Sequence, residues 1–179
     1  MILNCKYLSI RILPIIALLA GSMLSGCGGG GSSAPASVQV RKFPAMEVPG
    51  MITDPAELSV YAAEHFWDRF LDTSFTGRCD SALVSGVTRQ EVENSFGTYS
   101  AILWQTDVRT AISSVARLFS RAEAIELRDT SSNVFETITF LAHKYFYDPN
   151  SPVRNEEFYL PFVEGLAHSP AVKEDMKPA

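Results

Sequence analysis

Beyond residue 53, apolar side chains recur at three- and four-residue spacing, which is the period of one helix face. Asp54 is a capping residue, Pro55 suits a first helical position, and Glu57 lies three residues after Asp54. Leu58, Tyr61 and His65, with Ala62, Phe66 and Phe70, then extend a wide apolar face to about Leu71. Residues 72–86 are mixed and read as loop. Thr88 with Glu91 forms a capping box for a second helix whose inward face is Val92, Phe96, Tyr99 and Leu103, with Gly97 inviting close packing. Thr106 or Asp107 opens a third helix through Val108, Ile112, Val115 and Phe119. Ser132 or Asn133 opens a fourth, burying Phe135, Ile138, Leu141, Ala142 and Tyr145. Residues 148–152 hold two prolines among turn formers. Asn155 followed by Glu156 and Glu157 then starts a fifth helix, its acids near the positive end of the dipole. Pro161 falls inside that helix and Ser169-Pro170 ends it.

Upstream, Val38 and Val40 alternate with Gln39 and Arg41, while Pro44 and Pro49 forbid a helix. Residues 38–49 are read as an extended arm lying on the domain, with at most one short edge strand. Five helices, short connections and no strand pairs predict an all-α bundle. It spans residues 38–179 as one domain without internal repeats. The chain closes on Met176-Lys177-Pro178-Ala179 without an apolar closing element. That is either a fraying tail or the place where a further domain was lost or never encoded.

The first 26 residues follow a different pattern. Lys6 and Arg11 precede an apolar run from Ile12 to Leu24, and no acid interrupts it. Thirteen helical residues reach about 20 Å at roughly 1.5 Å each, too short for a ~30 Å hydrocarbon core. Residues 1–26 therefore read as an export signal rather than part of the fold. Leu24-Ser25-Gly26-Cys27 resembles the lipobox of bacterial lipoproteins. That resemblance implies a diacylglycerol on the Cys27 sulfur, cleavage before Cys27, and acylation of the new amine. The alternative is an ordinary secretory signal in which Cys27 is incidental. Residues 28–37, rich in Gly and Ser, follow as a flexible tether of about 17 Å root-mean-square length. Gly28 after the cysteine resembles lipoproteins released to the outer membrane, and no acidic run marks export to the cell surface. The expected address is the periplasmic face of the outer membrane, reached through a lipid anchor.

Charge narrows the function. Without residues 1–26 the chain keeps 13 basic and 20 acidic side chains, a net charge of −7. A chain so acidic, with no basic patch, is a poor nucleic-acid binder, because phosphate neutralisation supplies most of that affinity. If Cys27 carries lipid, Cys79 is alone. No Cys-x-x-Cys pair exists, and the lone thiol is either buried or reactive. His65, His143 and His168 have no partners at metal-ligating spacing; His65 with Asp68 is an isolated pair three residues apart. His65 reads as a hydrogen-bonded, half-buried residue, and His143 and His168 as solvent-facing. Nucleophile-elbow, Ser-x-x-Lys and phosphate-loop patterns are absent. Glu123 with Glu126 and Glu156 with Glu157 are read as solvated helix faces and cap charges rather than acid–base pairs. No cofactor or metal is expected.

Two clusters stand out. One is Ala63-Glu64-His65-Phe66-Trp67-Asp68-Arg69-Phe70. The other runs from Tyr145 through Tyr147, Asp148, Asn150, Arg154, Asn155, Glu156 and Glu157 to Tyr159. The structural reading is an aromatic core plus a turn whose Asp148, Asn150 and Asn155 bond the backbone. The functional reading is a groove where Trp67, Tyr147 and Arg154 meet a partner, since such residues concentrate in interface hot spots. Trp67 is expected to be mostly buried, and Arg154 to meet a carboxylate, Asp68 or Asp148.

These clusters also carry a family likeness. Pro49-Gly50-Met51-Ile52-Thr53-Asp54-Pro55-Ala56-Glu57, Ala63-Glu64-His65-Phe66-Trp67-Asp68 and Tyr147-Asp148-Pro149-Asn150-Ser151-Pro152-Val153-Arg154-Asn155-Glu156-Glu157 resemble a helical domain of unknown function. That domain occurs in lipoproteins of Gram-negative anaerobes, usually before a thioredoxin-like domain of the thiol–disulfide oxidoreductase or thiol-antioxidant type. The likeness covers roughly residues 41 to 175. It implies an α-helical accessory domain without established catalytic residues. The expected function is a periplasm-facing, non-catalytic accessory or interaction domain supporting thiol–disulfide or envelope maintenance. Its expected partner is an envelope protein, a thioredoxin-like one among them. Two alternatives stand beside it: an enzyme using Cys79 or the Glu156/Glu157 region, and a truncated remnant of a two-domain thioredoxin-like lipoprotein.

Overall fold

The computed structural model describes residues 40–72 and 82–177. Cys27, the export signal, the tether, Val38 and Cys79 lie outside the described residues. Five α-helices follow in order: α1 (Pro55–His65), α2 (Arg89–Leu103), α3 (Val108–Arg128), α4 (Val134–Ala142) and α5 (Glu156–His168). The all-α expectation holds with one addition. A hairpin of two-residue strands, β1 (Leu83–Val84) and β2 (Val87–Thr88), precedes α2, with β1 inside the stretch read as loop and β2 just beyond it. Its signal was Ser85-Gly86 between apolar pairs. Both residues have positive φ, 50° and 79°, the backbone that a tight two-residue hairpin demands. Leu83, Val84 and Val87 are buried, so the hairpin closes one side of the core.

The N-cap residues act as predicted, although Glu91 accepts from the Phe43 amide at 2.8 Å instead of closing the capping box on Thr88. Asp54 Oδ1 accepts from the Ala56 and Glu57 amides, Thr88 Oγ1 from Glu91, Asp107 Oδ1 from Thr110, and Asn155 Oδ1 from Glu157 and Phe158. Asn133 departs from the rule. Its side chain donates instead to the Leu83 carbonyl at 2.7 Å and fastens α4 to the hairpin.

Several faces differ from the periodicity. α1 stops at His65 rather than near Leu71, and residues 66–70 continue as turns carrying Trp67, Phe70 and Leu71 into the core. In α1 the buried residues are Ala62 and Ala63, while Leu58 is exposed. In α3 Val108 is exposed, and the buried stripe runs through Ala111, Ser114, Val115, Leu118, Phe119 and Ala122 to Glu126, which is buried rather than on a solvated face. After α4 the chain winds one π-helical turn, His143–Tyr147, closed by the Asp148 amide on the His143 carbonyl at 2.9 Å. The wider turn shifts the inward position by one residue. Phe146 is fully buried and Tyr145, expected in the core, is only partly so.

α3 is the central helix, packing against α1, α4 and α5. α5 comes so close at Gly165 that a Cβ there would lie 2.4 Å from the Phe119 ring. A polar thread joins three helices beneath the surface: the Tyr99 hydroxyl of α2 donates to Ser114 Oγ of α3 at 2.6 Å, and Ser114 donates to the Ala63 carbonyl of α1 at 2.6 Å. The arm lies on the domain as expected. The Arg41 amide donates to the Gly86 carbonyl at 2.8 Å, and its guanidinium to the Ser85 carbonyl at 2.6 Å. Phe43 stacks on Phe70 with ring centroids 5.0 Å apart.

Candidate functional site

The first cluster divides between core and surface. Trp67 is 4% exposed and packs edge-on against Phe43, Phe66, Phe70 and Tyr99. An interior tryptophan cannot line a partner groove, so the Trp67–Tyr147–Arg154 groove does not form. Its neighbour Asp68 faces outward and gathers positive groups. Asp68 Oδ2 lies 2.7 Å from His65 Nδ1, and Oδ1 accepts from Arg117 at 3.1 Å and from Arg121. Arg121 also donates to the Asp68 carbonyl at 3.1 Å. Burial by itself would raise the Asp68 pKa. The His65 hydrogen bond and the two guanidinium charges outweigh burial and hold it below the usual carboxylate range. An ionised carboxylate only accepts, so His65 Nδ1 carries the proton in this pair.

The sequence pattern marks His65 and Asp68 but not Arg117 and Arg121. Their one signal was the spacing of two cations four residues apart on the polar face of α3, which repel unless an acid lies between them. Beside this network lies an open basin of about 450 Å³ bordered by Asp68, Arg69, Leu71, Asp72, Arg121 and Ile125. A carboxylate held ionised by two guanidiniums and an imidazole is a weak proton acceptor, so the arrangement suits holding helices together or meeting a partner better than acid–base work.

The second cluster lies on the surface. His143, Tyr147 and Tyr159 form a shell of rings, with Tyr147 stacked on Tyr159 at 5.1 Å and 27°, and His143 5.2 Å from Tyr147. Burial and the neighbouring Tyr147 raise the Tyr159 phenol pKa. Asp148 closes an Asx turn, accepting from the Asn150 amide at 2.8 Å and its side chain at 3.1 Å; the backbone bond is the main reason its carboxyl stays below the usual range. Asn155 caps α5, and its amide donates to the Phe146 carbonyl at 3.0 Å. Arg154 does meet a carboxylate, but neither of the two expected: its partner is Glu156, at 2.5 Å on an exposed rim. Glu156 sits two residues away, so no chain reversal is needed to bring it into reach. Glu157 occupies the first turn of α5.

The two clusters therefore join through the interior rather than across a cleft. Trp67 packs on Phe96, and Phe96 packs on Tyr145 and Phe146. His143 and His168 face solvent as expected, and His65 is half-buried. Among the described residues no group of three His, Cys, Asp or Glu side chains could hold a metal ion. Among them too, no helix is long and apolar enough to cross a membrane.

No curated protein sequence matches the chain significantly. A crystal structure of a thioredoxin-like protein from Bacteroides caccae ATCC 43185 is similar to it, with a TM-score of 0.62 and 30% sequence identity. The likeness covers 77% of this chain and 45% of that one, so this chain spans less than half of its neighbour's length. Residues 28–178 match the family described as "Domain of unknown function (DUF5106)", and the chain belongs to that family.

Proposed function

We propose that this protein is a non-catalytic helical accessory domain, held by a lipid on Cys27 at the periplasmic face of the outer membrane, that serves a thioredoxin-like partner in thiol–disulfide maintenance. The observation that carries the reading is the likeness to a thioredoxin-like protein more than twice the length of the matched region. The matched region fills 45% of a protein described as thioredoxin-like, which favours a role for this region beside thioredoxin-like proteins. The site chemistry supports an accessory role, because Asp68, Glu156 and Asp148 are engaged in structural hydrogen bonds. A lipid anchor would raise the domain's effective concentration near other envelope proteins without any new contact.

The test has two parts. Metabolic palmitate labelling should mark the wild-type chain and not Cys27→Ser, and the variant should leave the outer-membrane fraction. Crosslinking in intact cells, followed by purification of the full-length lipoprotein, should return a thioredoxin-like protein reproducibly. Unlabelled wild-type protein removes the anchor; crosslinked partners without a thioredoxin-like member remove the redox role.

A further inference from the structure

Beneath the Asp68 network, α1 and α3 leave a notch between them. Its water-accessible space is about 10 Å³, and its lining includes Trp67, Asp68, Ser114, Arg117, Arg121 and Glu64. Such a space fits a single water molecule. Trp67 is nine-tenths buried, yet its indole Nε1–H has no acceptor among the described residues. A buried donor left in that state is costly, and native interiors rarely leave one so.

The lining groups select the occupant. An indole N–H needs an acceptor, which excludes an ammonium or metal cation. Glu64 and Asp68 offset Arg117 and Arg121 on the same lining, and about 10 Å³ is too small for a polyatomic anion. A neutral group that both accepts and donates satisfies every side. Acceptor capacity remains for it. Asp68 takes three hydrogen bonds from His65, Arg117 and Arg121, against about four lone-pair sites on a carboxylate. Ser114 Oγ accepts once from Tyr99 and donates to Ala63, leaving one lone pair.

We propose that this notch is a built-in site for one ordered water, which accepts from Trp67 Nε1–H and donates to Asp68 and Ser114. The water joins the aromatic core to the surface ion network, so that α1, α2 and α3 meet in one continuous hydrogen-bonded system. The proposal stands independently of any anchor or partner.

Indole-¹⁵N-labelled full-length protein tests it, with half-exposed Trp104 as the internal control. The Trp67 Hε1 resonance should show a direct nuclear Overhauser contact to a long-lived water and slow exchange with deuterium; Trp104 should exchange rapidly. A high-resolution crystal structure should place one water within hydrogen-bond distance of Trp67 Nε1. Trp67→Phe keeps a ring and removes the donor, and should lose that water. A protein acceptor on Trp67 Nε1, or no bound-water contact in the wild type, overturns the proposal even should the variant fail to fold. The same water persisting in a folded Trp67→Phe overturns the role of the indole.

Discussion

The segments around Trp67 and around Tyr147 look alike in composition, each dense in aromatics with interleaved charge, yet they occupy opposite environments. The first sends Trp67 and Phe70 into the core and leaves Asp68 at the surface between two arginines of α3. The second keeps Tyr147 outside, stacked on Tyr159, and sends only Phe146 and Phe158 inward. Backbone geometry separates them. Turns after α1 rotate consecutive aromatics into one interior space, whereas the π-helical turn after α4 rotates one ring inward and its neighbours outward. Aromatic density therefore marks a place of tight packing, and the local helical pitch decides which rings are inside.

Mutations can break or sharpen this contrast. The largest effect belongs to the interior: Trp67→Ala should cost about 3–5 kcal/mol, while Tyr147→Ala, removing a half-exposed ring, should cost under about 1 kcal/mol. Urea denaturation reads both, and equal costs would erase the distinction. Next is Gly165→Ala, whose new methyl would collide with the Phe119 ring. Overpacking of this kind should destabilise by about 1–3 kcal/mol, seen as a lowered unfolding midpoint; a neutral result would show that α5 shifts freely against α3.

Ser114→Ala should cost about 1–3 kcal/mol, because the buried Tyr99 hydroxyl and the Ala63 carbonyl both lose their partner. Burial raises the Tyr99 phenol well above its ordinary value, with the Ser114 bond opposing only in part. The neutral phenol thus favours the folded state at neutral pH, and this contribution should fade as pH rises above about 10. Absorbance titration should show Tyr99 ionising after the exposed phenols.

The Asp68 network gives a smaller, acid-side effect. Its folded pKa is depressed, so its contribution is complete above the ordinary carboxylate value near 4 and is lost as pH falls through the depressed one. Acid-unfolding curves of wild type and Asp68→Asn should converge at the lowest pH, diverge as pH rises toward 4 and stay fully separated above about pH 4. Smallest of all, Arg154→Ala should change stability by no more than about 0.5 kcal/mol, since its ion pair is exposed. A larger loss would place the second cluster in the core after all.

Much of this molecule was legible in one dimension. Capping and turn chemistry act within four residues, so Asp54, Thr88, Asp107 and Asn155 announced where helices begin, and Pro149 with Pro152 announced a turn. The all-α class followed from periodicity. The charge balance, the absence of a Cys-x-x-Cys pair and the apolar run from Ile12 to Leu24 were likewise written in the chain, with expectations that rest on residues outside the described structure. What the sequence left open depended on distance across the fold. Arg117 and Arg121 become partners of Asp68 only when α3 crosses the end of α1. Ser85-Gly86 becomes a hairpin only when its apolar flanks find the same interior. Arg154 had several carboxylates in reach along the chain, and the path of the backbone into α5 selected Glu156. Local hydrogen bonding carries its information in neighbouring residues, whereas packing and charge pairing are decided by which surfaces the closed core brings together.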